Sequence, residues 1–279
     1  MDRPVVVLGG AGAPVVAEAF DVREAATADF FNLRVTEETL RGATYAVYRF
    51  DGASTSRLTQ GSRADLNLLC ADNFARAARR EGVRHLFYLG DVPEILSTLA
   101  RYGVPVATPR TGAEGEAATV LALLRAGTVS PRARSRRTSV VRSIQRMRLP
   151  AGRDAEWAAQ EYMRWLPRAL GGLVRVDEGD GGAPRSYRIA AAGIGPILEL
   201  TWAPDRSTSD RQLFFVTGGR LVQKEQRGRL ELRQVLDGRT LLTALHDFGP
   251  RLPWHLYVAT QAQAHAVVMA AFRRHLARS

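Results

Sequence analysis

The chain has 279 residues, of which 46% are hydrophobic and 24% charged, with a formal net charge of +11 and one cysteine, Cys70. That length holds one large domain or two ordinary ones, and the balance is that of a soluble globular protein. It excludes a disulfide-built fold, and no apolar run reaches the roughly 18–20 residues that a membrane span needs.

The elements alternate at first. Val5–Leu8 reads as a continuous apolar strand of a sheet covered on both faces. A short helix is predicted over Val15–Phe20 and a strand over Ala43–Phe50. From Ser62 to Glu81 apolar residues recur at helical spacing (Leu66, Leu69, Phe74, Ala77), and Gly82 ends the helix. Cys70 falls among those apolar positions, which argues for a buried thiol over a catalytic one. A strand at His85–Leu89, a helix at Val92–Tyr102, a strand at Val104–Ala107 and a helix at Glu114–Leu124 complete a doubly wound α/β domain, residues 1–127.

A basic linker follows over residues 128–138. Between Glu116 and Asp154 there is no acidic residue, whereas Arg125, Arg132, Arg134, Arg136, Arg137, Arg142, Arg146, Arg148 and Arg153 all fall there. Such a cluster suits an anionic partner. No aromatic residues interleave the arginines as stacking platforms for bases, which argues against nucleic acid and for a solvated segment.

The pattern then changes to α+β over residues 139–279. A strand at Ser139–Leu149 precedes a helix at Ala155–Leu170. Several strands with Gly, Pro and Asp turns come next, then a long amphipathic helix to Leu276 with Val258, Ala262, His265, Met269, Phe272 and Leu276 on one stripe. His246, His255, His265 and His275 stand nine or ten residues apart. That spacing does not bring helical histidines to one face, so no metal site is predicted. Nothing in the pattern specifies an oligomeric state.

Gly9-Gly10-Ala11-Gly12 directly follows the first strand. Glycines there let the backbone approach a pyrophosphate at a helix N-terminus, although a ligand-free strand–helix turn has the same composition. The segment Asp72 to Gly90, with a helix ending in Gly-Val and a strand ending in Tyr-Leu-Gly, resembles the atypical short-chain dehydrogenase/reductase superfamily, NmrA-like branch. The resemblance implies a Rossmann-like fold, NAD or NADP as cofactor, and Asp29 near the adenine ring. The family's GxxGxxG pattern falls on Gly9, Gly12 and Val15, so its third glycine is replaced. Its catalytic Tyr-x-x-x-Lys pair is absent, because Lys224 is the only lysine. Tyr45 with Arg49 is the nearest imitation, and a guanidinium stays protonated. The first strand–helix–strand unit is also shortened.

The carboxyl-terminal half resembles the helix-grip fold of START-like proteins, and in particular a domain family fused behind NmrA-like domains. Phe248, Pro250, Trp254, Tyr257 and His265 carry that likeness. It implies a cavity for an apolar ligand, with Glu199, Trp202, Trp254, His265 and Met269 as candidate lining.

The sequence therefore predicts a cytosolic pseudoenzyme: a degenerate NAD(P)-binding Rossmann-like domain joined to a helix-grip domain, acting by binding or sensing. Two alternatives stay open. One is an oxidoreductase or a cavity-based enzyme using His265 or Glu199; the other is a basic scaffold for an anionic partner.

Overall fold

The computed structural model describes residues 5–9, 20–25, 30–48, 57–126, 141–179, 185–223 and 228–279. The chain forms two compact units. Residues 1–55 and 66–137 make the first, residues 56–65 and 138–279 the second. The short stretch 56–65, which the sequence reading assigns to the amino-terminal domain, thus groups with the carboxyl-terminal half. The helix expected at Val15–Phe20 and the linker 128–138 lie outside the described residues.

The first unit is built on five parallel strands: β1 (Val5–Gly9), β2 (Asp21–Ala25), β3 (Tyr45–Tyr48), β5 (His85–Tyr88) and β6 (Val106–Ala107), in the order β2-β1-β3-β5-β6. Its helices are α1 (Leu33–Leu40), α2 (Arg63–Arg80, which starts in the second unit), α3 (Pro93–Ala100) and α4 (Gly115–Ala126). Every residue of β3 is buried, as a strand covered on both faces requires. On one face Tyr45, Val47 and Phe87 meet Ala117, Val120 and Leu121 of α4. On the other, the Tyr48 ring lies 5.1 Å from that of Phe74 in α2. This is a Rossmann-like, doubly wound parallel sheet. Local chemistry sets the helix ends. Ser62 caps α2 by accepting from the Asp65 amide at 3.0 Å, and Gly82 at φ +72° ends it.

The second unit is an eight-stranded sheet in the order β4-β7-β13-β12-β11-β10-β9-β8. The strands are β4 (Arg57–Gln60), β7 (Val141–Arg148), β8 (Val174–Glu178), β9 (Ser186–Ala191), β10 (Gly195–Trp202), β11 (Arg211–Gly218), β12 (Arg229–Val235) and β13 (Thr240–Phe248). All neighbours are antiparallel except β4, which runs parallel to β7. Helix α5 (Ala155–Ala169) lies between β7 and β8 in sequence, and α6 (Trp254–Ala259) and α7 (Gln261–Leu276) follow β13. Leu200, Phe214, Leu232 and Leu241 on one face of the sheet share a core with Met163 and Leu166 of α5 and Met269, Phe272 and Leu276 of α7.

The single terminal helix expected from the periodicity is in fact two. Thr260, at φ −123° and ψ −75°, separates α6 from α7. Its hydroxyl donates to the Leu256 carbonyl at 2.6 Å, a back-bond of the kind that competes with helix geometry. Val258 therefore belongs to α6, and the buried stripe of α7 starts at Ala262.

Candidate functional site

In the parallel sheet the chain leaves β1 for β2 on one side and returns to β3 on the other. The carboxyl ends of β1 and β3 thus form a topological switch point, where open α/β sheets bind ligands. Gly9 is the last residue of β1, paired with Ala25 of β2 and Tyr48 of β3. Gly10, Ala11, Gly12 and Asp29 lie outside the described residues. The second strand, β2, carries Glu24 next to its last residue.

The tyrosines of this unit are held by their surroundings. A reductase tyrosine must release its proton readily, so its pKa has to fall. Tyr45 donates its hydroxyl to Glu116 at 2.6 Å, and burial together with that carboxylate pushes it up to about 12. Tyr48 is fully buried, donates to the Asn67 carbonyl at 3.0 Å and is raised well above its ordinary value by desolvation. Tyr102 donates to Asp72 at 2.6 Å and is raised by burial and by that carboxylate. Tyr88 accepts from the Val92 amide at 3.2 Å, and burial still raises it. Each tyrosine of the parallel unit is thus held as the neutral phenol, with its pKa moved away from neutral pH. Cys70 is wholly buried in α2.

In the second unit Glu199 and Trp202, both on β10, do not share a face, because residues three apart on a strand point oppositely. Glu199 reaches the exposed Arg188 at 3.3 Å. Trp202 packs against the core and donates its indole N–H to Gln212 at 2.9 Å. Trp254 opens α6. Met269 is buried on α7, and His265 stands on the same helical face, between Ala262 and Met269. Desolvation lowers the half-buried His265 imidazole to about 4, so it is neutral at neutral pH.

A buried ionic cluster escaped the sequence reading. Glu231 of β12 accepts from Arg211 Nε at 2.7 Å and from Arg233 Nε at 2.8 Å. Burial alone would raise its carboxyl, but the two guanidiniums outweigh that and hold it well below the usual range. Asp247 bridges Arg142 at 2.9 Å and Arg229 at 2.7 Å. His246 is wholly buried, 3.9 Å from Glu231, and neither ring nitrogen makes a hydrogen bond among the described residues. Burial and the Arg229 guanidinium push it down to about 3. Its signal was the alternation of Arg229, Glu231 and Arg233 with Leu230 and Leu232. That alternation normally marks a solvated face; here Glu231 and Arg233 are buried. Among the described residues no three His, Cys, Asp or Glu side chains converge as a metal site.

The second unit also holds a cleft of roughly 400 Å3 between α5, the edge strand β8 and its neighbour β9. Its floor is Met163, Pro167, Val176 and Tyr187, and its rim is Gln160, Arg164, Arg168, Glu178 and Arg185. The α5 members fall at i, i+3, i+4, i+7 and i+8, one face of the helix. Arg185 pairs with Glu178 at 2.8 Å and Arg164 with Glu161 at 3.5 Å. Arg168 is exposed and has no side-chain partner among the described residues.

No family model matches the chain. A curated relative, "Auxiliary protein GraX" of Staphylococcus aureus, is 24% identical over 251 residues, covering 88% of this chain and 76% of GraX. Among solved structures, triphenylmethane reductase of Citrobacter sp. complexed with NADP(H) shares 14% identity at a TM-score of 0.26, covering 37% of this chain and 48% of the reductase. A mutated uronate dehydrogenase shares 18% at 0.24, covering 33% and 40%. The chain thus spans less than half the length of either enzyme. At such scores the strand order, not these two enzymes, carries the reading of the fold. No described helix is long and apolar enough to cross a membrane.

Proposed function

We propose that this protein acts by binding and does not transfer hydride: its parallel unit holds a dinucleotide, NAD or NADP, at the β1/β3 crevice through Gly9, Gly10, Ala11 and Gly12, with Asp29 beside the adenine. The observation that carries the reading is that Tyr45, Tyr48 and Tyr102 commit their hydroxyls to Glu116, the Asn67 carbonyl and Asp72, while the one lysine of the chain, Lys224, follows none of the tyrosines at the catalytic spacing. A cradle without an activatable hydroxyl suits sensing. The name of the curated relative, an auxiliary protein, agrees with a supporting role.

The second unit fits a helix-grip, START-like domain of the NmrA-fused kind. Its sheet order from β7 through β13 to β8, with α5 after the first strand and α7 last, supports that assignment. Trp202, Trp254, His265 and Met269 are its candidate lining, and Glu199 lies on the opposite face of β10 from Trp202. Such a domain takes an apolar ligand, which gives the protein a second binding function.

Isothermal titration with NAD, NADH, NADP and NADPH tests the first half. Saturable heat with at least one of the four is expected, together with no oxidation of NADPH when carbonyl compounds are added. Absence of heat with all four in folded protein removes the dinucleotide, and turnover removes the pseudoenzyme.

A further inference from the structure

We infer that the cleft between α5 and β8–β9 is a binding site for a single-chain anionic amphiphile of the fatty-acid type. Its carboxylate would sit on Arg168 and Arg164, and its chain on Met163, Pro167, Val176 and Tyr187. This rests on the reading that the second unit acts by binding, and it places the site along α5, not α7: no residue of α7 lines this cleft.

Three features point to that ligand. The volume, roughly 400 Å3, falls in the range of small-molecule pockets, about 300–1,000 Å3. The floor is aliphatic and phenolic, without the paired flat faces or polar edge that would select a nucleobase. Among the described residues the rim sets three guanidiniums against the carboxylate of Glu178.

Within the rim the arginines are unequal. Arg185 is held by Glu178, and Arg164 keeps a loose 3.5 Å contact with Glu161. Arg168, one turn on from Arg164, is exposed and has no side-chain partner among the described residues, and a guanidinium fork suits a carboxylate through two parallel hydrogen bonds. The local backbone gives the cleft its wall. Pro167 has no N–H to donate to the Met163 carbonyl, so the α5 ladder is interrupted between two residues that line the cleft.

Titration of the full chain with monomeric dodecanoate, followed calorimetrically, tests the site. One-to-one saturable binding is expected. Dodecanol and dodecyltrimethylammonium should bind at least about tenfold more weakly, since each lacks the charge-assisted hydrogen bond. Arg168→Ala and the double variant R164A/R168A should lose about tenfold or more, while Arg188→Ala, an exposed change outside the cleft, should bind as wild type. Circular dichroism keeps each variant accountable for its fold. A second route fills the floor: Val176→Trp should abolish binding.

Equal affinity for dodecanol, unchanged affinity in R164A/R168A, no saturable heat, or binding to anionic vesicles without binding of the monomer would each overturn the assignment. NAD(P) titration of the same sample separates the two proposals. Dinucleotide heat without dodecanoate heat sinks the cleft alone; the reverse outcome sinks only the nucleotide.

Discussion

Arg233 donates its Nε to Glu231 Oε1 at 2.8 Å, two residues along the same strand, and both side chains are buried. Neighbours of the same parity on a strand share a face, so this pair, with Arg211 on the adjoining strand, places two positive charges and one negative charge where water does not reach. The arrangement holds only while the carboxylate is ionised.

Glu231→Gln should therefore be costly. It leaves Arg211 and Arg233 buried without a counter-charge, and breaking one partner of such a cluster costs about 3–5 kcal/mol. The urea midpoint should fall steeply, with the slope unchanged. Glu199→Gln is the comparison: its exposed pair with Arg188 should contribute under about 1 kcal/mol.

His246 makes stability depend on pH with a definite sign. Its folded value lies near 3 and its ordinary value is 6.5, so the unfolded chain binds the extra proton first. Stability is complete above pH 6.5 and is lost as pH falls from there toward 3, at about 1.4 kcal/mol per unit for one proton. Going from pH 6.5 to 5 should cost about 2 kcal/mol. His265, lowered to about 4 by desolvation, adds a loss of the same sign. Asp247 is lowered too, so its contribution goes only below its ordinary value of 3.8. His246→Leu should flatten the urea midpoint between pH 6.5 and 5 relative to wild type. An unchanged pH slope in that variant would remove His246 as the cause.

Tyr45→Phe separates structure from chemistry. Loss of the hydrogen bond to Glu116 should lower stability by about 1 kcal/mol. Dinucleotide affinity should stay at the wild-type value, read by titration. A large loss of affinity would instead place the hydroxyl in the binding site.

Gly61→Ala tests the attachment of β4. Gly61 sits at φ +97°, and an added Cβ would run into the Ile144 carbonyl of β7. Both strain and collision oppose the substitution, so a loss beyond about 2 kcal/mol is expected. Hydrogen exchange should show β4 released from β7 while β12 and β13 keep their protection. Uniform loss across the sheet would mean that β4 is integral to it.

Much of the local structure was legible in the residues. The helical spacing of Leu66, Leu69 and Phe74 with Gly82 at its end gives α2 (Arg63–Arg80), and the β–α alternation gives the parallel sheet. Such signals are local, since periodicity and caps act within a turn or two. The missing Tyr-x-x-x-Lys pair was also a fact of sequence. The tertiary structure alone decided the rest. It paired Arg57–Gln60 with β7, broke the last helix at Thr260, and buried the charges of Glu231 and Arg233. It also gathered residues of α5, β8 and β9 around one cleft. Each of these depends on which distant segments meet, and a side chain's polarity or spacing carries no record of what will lie across from it once the sheet has closed.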